Sequence, residues 1–293
     1  MEIILGLAGA VFWGFADFSA RFASRRVGAY RTLFFMQIFG FIALSFALKF
    51  TGAYSAIAPG WRPWALAVFA GVVNVGASLA LYRSFEIGVM TVVAPVSSCY
   101  PALTAALAFV SGERIGHLRE WGLAVTFAGV LLAAFSFAPV SGGAAPGAPA
   151  RPRTPLAAGV GWAVLAALGF GFLFWFLGFH VVRDLGGALS VWVMRLTAVF
   201  TLLFLAPFAR QSLRVSRGSI WWLLLAVGVL DTCAFVANNT GLRLGHVSIV
   251  SVLASLYGAV TVLLSWIFLR ERLARSQWLG IFLIFAGIVL VSF

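Results

Sequence analysis

Ten stretches of about 20 mostly apolar residues follow one another through this chain of 293 residues. A helix needs about that length to cross the hydrocarbon core of a bilayer. The chain is 62% hydrophobic and 10% charged, whereas soluble domains are about 45–50% apolar and about 25% charged. We therefore predict an all-α polytopic membrane protein. The ten predicted transmembrane helices are Ile3–Phe22, Arg31–Phe50, Trp64–Phe85, Val89–Val110, Trp121–Ala138, Leu156–Phe179, Leu185–Pro207, Ile220–Thr240, Val247–Leu269 and Gln277–Phe293.

The basic residues predict how the chain lies in the membrane. The formal net charge is +12, but the arginines are scattered through short loops without a dense stripe, which argues against a nucleic-acid partner. Loops after the odd-numbered spans hold twelve basic residues and the opposite loops hold six. Cytoplasmic loops are enriched in Lys and Arg, so both termini are predicted to lie outside. The excess of Arg over Lys indicates a GC-rich bacterial genome, and hence a bacterial inner membrane.

The chain repeats itself. Residues 112–135 and 270–293 share eight of 24 positions, where chance would give about two or three. An offset of 157 places Gly71 on Gly228 and Asn74 on Asp231. The match of the first two helices to the sixth and seventh is weaker and rests partly on aligning Arg31 with Arg195. We predict a first five-helix repeat at 1–138, a Pro/Gly/Ala-rich linker at 139–155 and a second repeat at 156–293.

An odd number of helices in each half has a topological consequence. If both halves insert in the same chain order, the second lies upside down relative to the first. Inverted repeats of this kind are a frequent plan of secondary transporters, with the binding site between the repeats near the bilayer midplane. The sequence therefore predicts ten helices in two inverted five-helix repeats around a central cavity.

Several short motifs, taken in order, resemble the EamA branch of the drug/metabolite transporter superfamily. The resemblance covers essentially the whole chain. It implies a ten-helix carrier of small organic solutes, often an exporter of amino acids, related metabolites or drugs. Asp17 departs from the family pattern, so no role is carried over to it. The motifs are Trp13-Gly14-x-x-Asp17, Arg31, Leu81-Tyr82-Arg83-Ser84-Phe85-Glu86-Ile87-Gly88, Pro101 followed by Gly112-Glu113-Arg114, Leu269-Arg270-Glu271-Arg272-Leu273, and Gln277-Trp278-Leu279-Gly280 with Ala286-Gly287.

Polar groups at membrane depth are costly and often mark a transport pathway. Trp13 and Asp17 share a helix face, and so do Asp231 and Phe235, because residues four apart are neighbours on a helix. Aromatic faces with a few polar groups suit a partly apolar solute. The predicted pathway residues are Trp13, Asp17, Asn74, Ser78, Tyr82, Ser97, Tyr100, Trp162, Trp175, Asp231, Phe235, Asn238, Asn239, Ser255 and Tyr257.

Each of these residues also has a structural interpretation. Asp17 and Asp231 would exchange protons or bind an ammonium group, or else fix helix packing through hydrogen bonds. Small and polar residues serve close helix contact as well as solute binding. Arg31 and Arg195 would face a solute carboxylate, or else pair with an acid or extend to the interface. Glu113 and Glu271 would cap helix starts or pair with a nearby Arg, or else act in gating.

Other functional classes lack their sequence signals. The chain has no His-x-x-x-His, no Gly-x-Ser-x-Gly and no Walker-type phosphate loop, and Cys99 and Cys233 both lie inside apolar runs. We therefore predict no enzyme activity, no cofactor and no metal site. The expected partners are a small-molecule solute, protons in the case of coupled transport, and the lipid bilayer. An uncoupled facilitator of the same fold is the close alternative, and an intramembrane enzyme the distant one. A monomer would be sufficient, and a dimer is the alternative.

Overall fold

The computed structural model describes residues 1–51, 60–88, 90–114, 116–134, 159–269 and 275–292. Within these ranges the chain forms thirteen α-helices and one π-helical turn, and no strand, which confirms the predicted all-α class. The predicted linker at 139–155 and Glu271 lie outside the described residues. The helices are α1 (Glu2–Val27), α2 (Ala29–Thr51), α3 (Arg62–Ile87), α4 (Met90–Ser97), α5 (Pro101–Val110), α6 (His117–Ala134), α7 (Val160–Phe176), α8 (Val182–Leu185), α9 (Gly187–Phe208), α10 (Ile220–Leu244), α11 (Val247–Ala254), α12 (Tyr257–Leu269) and α13 (Arg275–Ser292).

Seven stretches of the described chain are long and apolar enough to cross a bilayer. Five of them are the single helices α1, α2, α3, α9 and α10. The sixth runs from α7 through the π-helical turn Leu177–Val181 into α8, and the seventh joins α11 to α12. The other helices, α4 with α5, α6 and α13, occupy the places of the three remaining predicted spans. Helix length alone thus reproduces seven of the ten predicted spans.

The fourth predicted span is interrupted near its middle. Helix α4 ends at Ser97 and α5 begins at Pro101. Proline has no N–H to donate and its ring crowds the carbonyl four residues earlier, so an α-helix rarely runs through it unbroken. The backbone turns here through bonds of three-residue spacing, from Cys99 N to Val96 O at 3.3 Å and from Ala102 N to Cys99 O at 3.2 Å.

The ninth predicted span is interrupted at the corresponding place. Helix α11 ends at Ala254 and α12 begins at Tyr257. The backbone again tightens to three-residue spacing, with Leu256 N bonded to Leu253 O at 3.2 Å and Gly258 N to Ser255 O at 3.2 Å. The two interruptions touch, since a Cβ atom on Gly258 would lie 2.6 Å from Ser98 Oγ. Interrupted helices that meet inside a helical membrane protein are typical of transporter binding sites.

Helices of the first predicted half pack against helices of the second. Helix α1 packs against α10, and α3 packs against α7; α2 contacts α9, and α6 contacts α13. A two-fold axis that relates the first predicted span to the sixth, and the third to the eighth, would repeat the contact of α1 with α10 as the contact of α7 with α3. The division into two inverted halves stays a prediction.

Two glycines reveal the register of α2 and α9. A Cβ on Gly71 would lie 3.2 Å from Met194 Cα, and a Cβ on Gly228 would lie 2.7 Å from Met36 O. Gly71 and Gly228 are equivalent in the predicted repeat, and on that basis Met36 and Met194 would take equivalent places, 158 residues apart. If the predicted repeat holds, this register makes Gln37, and not Arg31, the residue equivalent to Arg195, which corrects the sequence alignment of Arg31 with Arg195.

A cluster of acidic side chains ties the start of α11 to other helices. The Glu113 carboxylate accepts hydrogen bonds from Val247 N at 2.9 Å, from Ser248 N at 3.0 Å and from the Ser248 hydroxyl. Glu2 accepts a bond from His246 N at 2.7 Å. The first N–H groups of a helix lack partners within it and favour negative charge. Glu113 thus caps α11 from the other half of the chain, as one of the sequence interpretations proposed.

Replacing Glu113 with glutamine is expected to destabilise the protein by about 1–3 kcal/mol, the usual worth of hydrogen bonds to a charged group. The amide keeps the shape of the side chain but loses its charge and one acceptor. The measurement is thermal unfolding of the purified protein in detergent. Glu120→Gln is the matched control, because Glu120 pairs at 3.1 Å with His117 on the exposed surface. Equal unfolding temperatures for the two variants would contradict the cap.

Candidate functional site

A small cavity of about 30 Å³ lies among helices α1, α3, α7 and α10. No lining residue is more than 7% exposed. The lining residues are Trp13, Asp17, Ser78, Leu81, Tyr82, Tyr100, Phe170, Phe174, Asp231, Phe235 and Tyr257.

The cavity is lined by one face from each of several helices. Pairs four residues apart project on the same side of an α-helix: Trp13 and Asp17 on α1, Ser78 and Tyr82 on α3, and Asp231 and Phe235 on α10. Tyr100 and Tyr257 enter from the points where the two interrupted spans turn. The opposite faces of these helices contact other helices or lie on the outer surface.

One side of the cavity carries a buried ion pair. Asp231 Oδ2 accepts a hydrogen bond from the Arg195 guanidinium at 2.5 Å, and Asp231 Oδ1 accepts one from Trp13 Nε1 at 3.0 Å. The other terminal nitrogen of Arg195 donates to Gln37 Oε1 at 2.6 Å. Arg195 also lies 5.0 Å from the ring centroid of Phe235. Asp231 is therefore neutralised by Arg195, and this chain of bonds links α1, α2, α9 and α10.

Asp17 has a different environment. It is 3% exposed and lines the cavity, yet it makes no hydrogen bond and no ion pair to any residue of the described chain. The nearest charges are those of the pair formed by Asp231 and Arg195, and Arg195 is already engaged there. An isolated carboxylate is costly to bury. The cavity therefore has a net negative charge whenever Asp17 is ionised.

Aromatic rings form the rest of the wall. The Trp13 ring packs against Phe174 at 5.5 Å, Phe235 at 5.0 Å and Tyr257 at 6.3 Å between centroids. The Tyr100 and Tyr257 rings lie nearly parallel, 6.4 Å apart. Their hydroxyls donate to the opposite half, from Tyr257 to Ser97 Oγ at 3.0 Å and from Tyr100 to Ser251 O at 2.9 Å. The two tyrosines thereby join the two interrupted spans.

The structure brings most of the residues predicted from sequence to this place. Two of the others contact the lining directly: Asn74 accepts a bond from Ser78 at 3.4 Å, and Ser97 accepts the bond from Tyr257. The predicted residues that line the cavity are Trp13, Asp17, Ser78, Tyr82, Tyr100, Asp231, Phe235 and Tyr257.

Five predicted pathway residues lie away from the cavity. Trp162 is 45% exposed on the outside of α7, and Trp175 donates to Ser111 Oγ at 2.8 Å. Ser255 bonds to Val252 O within its own turn at 2.7 Å. Asn239 donates to Ser190 Oγ on α9 at 3.1 Å, and Asn238 is buried beside Gly9 at the contact with α1. These positions fit packing or membrane contact.

Sequence reasoning left four important residues out of the predicted pathway. Arg195 pairs with an acid, which is one of the alternatives that its sequence position allowed. No sequence pattern marked Gln37, and its relation to Arg195 became apparent only from the register of α2 and α9. Phe170 and Phe174 sit on the apolar helix α7, where the aromatic side chains surround the axis and no polar stripe marks the inner face. The described residues hold no cluster of three or more His, Cys, Asp or Glu side chains suited to a metal.

Comparison with known proteins agrees with this architecture. A family model described as the EamA-like transporter family matches residues 1–135 and again residues 157–293. A protein described as permease-like, YdzE of Bacillus subtilis (strain 168), is 38% identical over 66 residues, which are 22% of this chain and 85% of that protein. One crystal structure superposes with a TM-score of 0.73 at 17% identity, covering 99% of this chain and 96% of the other. That likeness shows the fold alone.

Proposed function

Because the chain belongs to the EamA-like transporter family, an integral membrane family, we propose that it is a secondary transporter that exports a small organic solute by alternating access. The solute is an amino acid, a related metabolite or a drug. The observation that carries the proposal is the buried cavity at the meeting point of the two interrupted spans. Discontinuous helices around a midplane site are a recurrent feature of secondary transporters.

The helix interruptions supply the mobility that alternating access needs. At Ser98–Tyr100 and at Ser255–Leu256 the regular hydrogen-bond ladder is replaced by a tight turn. A turn lets the two helical pieces tilt separately, whereas a continuous helix moves as one rod. Tilting the pieces of one half and then those of the other would open the cavity to each side in turn. The Glu113 cap on α11 would then be one of the contacts broken and remade.

The proposed membrane, orientation and oligomeric state are those predicted from the sequence. The excess of Arg over Lys supports a bacterial inner membrane. The more basic loops follow the odd-numbered predicted spans and would face the cytoplasm, which would leave both termini outside. Because one chain holds both predicted five-helix halves, a monomer would be sufficient as the transporting unit, with a dimer as the alternative. Oligomeric state is checked by light scattering of the purified protein in detergent.

Filling the cavity tests the proposal. Ser78→Phe adds a ring to a lining position on α3 and is expected to lower solute counterflow in proteoliposomes by at least about tenfold, because the solute loses its space. Val72→Phe is the matched control on the same helix, where Val72 is 47% exposed on the outer surface. The substrate is found first with a panel of radiolabelled amino acids, amines and drugs.

Counterflow also separates a carrier from an uncoupled facilitator. Unlabelled solute inside the vesicle accelerates the entry of labelled solute through a carrier, because the loaded protein reorients and returns. A channel-like facilitator shows no such acceleration. Equal transport by Ser78→Phe and wild type would remove the cavity from the pathway, and lack of acceleration by internal solute would replace alternating access with facilitated diffusion.

A further inference from the structure

We propose that the transported solute carries a protonated amine, and that the ammonium group binds Asp17 in the central cavity. The inference deepens the proposed transport function and rests on it. Only three charged side chains are buried in the described chain: Asp17, Arg195 and Asp231. Two of them neutralise each other, which leaves Asp17 as the unbalanced charge.

Arg195 is not available to a solute carboxylate. Both terminal nitrogens of its guanidinium are occupied, by Asp231 at 2.5 Å and by Gln37 at 2.6 Å. Its buried Nε has no hydrogen-bond partner in the described chain and lies against α2, 3.4 Å from where a Cβ atom on Gly40 would be. The Phe235 ring lies against the guanidinium, and Arg195 is absent from the cavity lining. An anionic solute would therefore meet a carboxylate and no free cation.

Asp17 has what an ammonium group requires. Its side chain is buried and lines the cavity, and no residue of the described chain donates a hydrogen bond to it. A buried carboxylate gains most from a cation that both neutralises it and donates hydrogen bonds. The bond from Trp13 to Asp231 uses the only donor of the indole, so the neighbouring aromatic residue on α1 cannot serve Asp17.

The aromatic wall completes the site. Rings of Trp13, Phe174 and Tyr257 pack around the same space, and aromatic faces attract ammonium groups. The same wall offers apolar area to a ring or short hydrocarbon body. The enclosed space of about 30 Å³ favours a small amine over a large drug. The inferred solute class is thus small aromatic or hydrophobic primary amines.

The experiment compares three probes of similar shape and different charge. Phenethylamine is a cation, L-phenylalanine is a zwitterion and 3-phenylpropionate is an anion. Each is tested in counterflow with wild type, Asp17→Asn, Asp17→Glu and the control Asp184→Asn in proteoliposomes. Asp184 is an exposed residue at the end of α8, so its variant makes the same chemical change outside the cavity.

We expect wild type to transport phenethylamine and to leave 3-phenylpropionate behind. Asp17→Asn is expected to weaken the apparent phenethylamine affinity by about 30-fold or more, as for the loss of one partner of a buried charge pair. Asp17→Glu retains the charge and is expected to retain transport, and Asp184→Asn is expected to behave as wild type. Thermal unfolding checks that Asp17→Asn is folded, which we expect because the substitution removes no hydrogen bond seen in the described chain.

Other outcomes overturn the inference. Transport of phenylalanine or 3-phenylpropionate without transport of phenethylamine would show a carrier with a different solute class. Unchanged phenethylamine affinity in Asp17→Asn would show that Asp17 does not bind the ammonium. Absence of counterflow for these probes and for the whole solute panel would count against the proposed transport function itself, which separates the two failures.

Discussion

Asp231→Ala is expected to lower the free energy of unfolding by about 3–5 kcal/mol, the cost of removing one member of a buried ion pair. The substitution leaves the Arg195 guanidinium without its anion in a place where it is 1% exposed. It also removes the acceptor for Trp13 Nε1. Unfolding by heat and by denaturant in a mild detergent measures the loss.

A double variant provides the control for this result. Arg195→Met with Asp231→Leu replaces the charged pair by apolar side chains, and such exchanges of buried pairs are often neutral or stabilising. We expect it to be more stable than Asp231→Ala, with strong non-additivity between the two sites. A loss below about 1 kcal/mol for Asp231→Ala alone would mean that the pair is solvated and contributes as a surface pair does.

Gly228→Leu is expected to destabilise the protein by about 3 kcal/mol or more, at the upper end of overpacking effects. A Cβ at this position would lie 2.7 Å from Met36 O and 2.9 Å from Phe39 Cβ. The first neighbour is backbone, so relief requires α10 to move away from α2. That movement would also disturb the bonds from Arg195 to Gln37 and Asp231.

Gly76→Leu is the matched control for this substitution. Gly76 lies in the middle of α3, and nothing in the described chain lies within 4 Å of its added Cβ. Leucine favours a helix over glycine by up to about 1 kcal/mol, so this variant is expected to equal or exceed wild type in stability. If both glycine variants unfold at the same temperature, the close approach of α2 and α10 does not contribute to stability.

Cavity residues were easiest to predict from sequence where a single polar residue lies within an otherwise apolar span. Asp17 and Asp231 stand out because an acid in an apolar span demands an explanation, and helical spacing then gives Trp13 and Phe235 as their neighbours. The tyrosines at 100 and 257 follow from the repeat, which aligns them with each other. These inferences need only local geometry and the offset between halves.

The misplaced residues show where local geometry is insufficient. In α7 nearly every side chain is apolar, because its outer face meets lipid and its inner face meets the cavity wall, and both environments favour the same residues. Trp162 and Trp175 therefore look as suitable as Phe170 and Phe174. Pairing Arg195 with Asp231 required the rotation of α9 relative to α10, which depends on long-range packing.

The contact between Tyr100 and Tyr257 has a consequence for energetics. The two residues match in the predicted repeat, and their rings lie nearly parallel. Under the proposed alternating access, an exchange of conformations between the two halves would leave this contact unchanged. Its free energy would then be equal in the two end states and would favour neither of them. The bias toward one state would come from contacts without a counterpart at the periphery, such as the carboxylates that hold the start of α11.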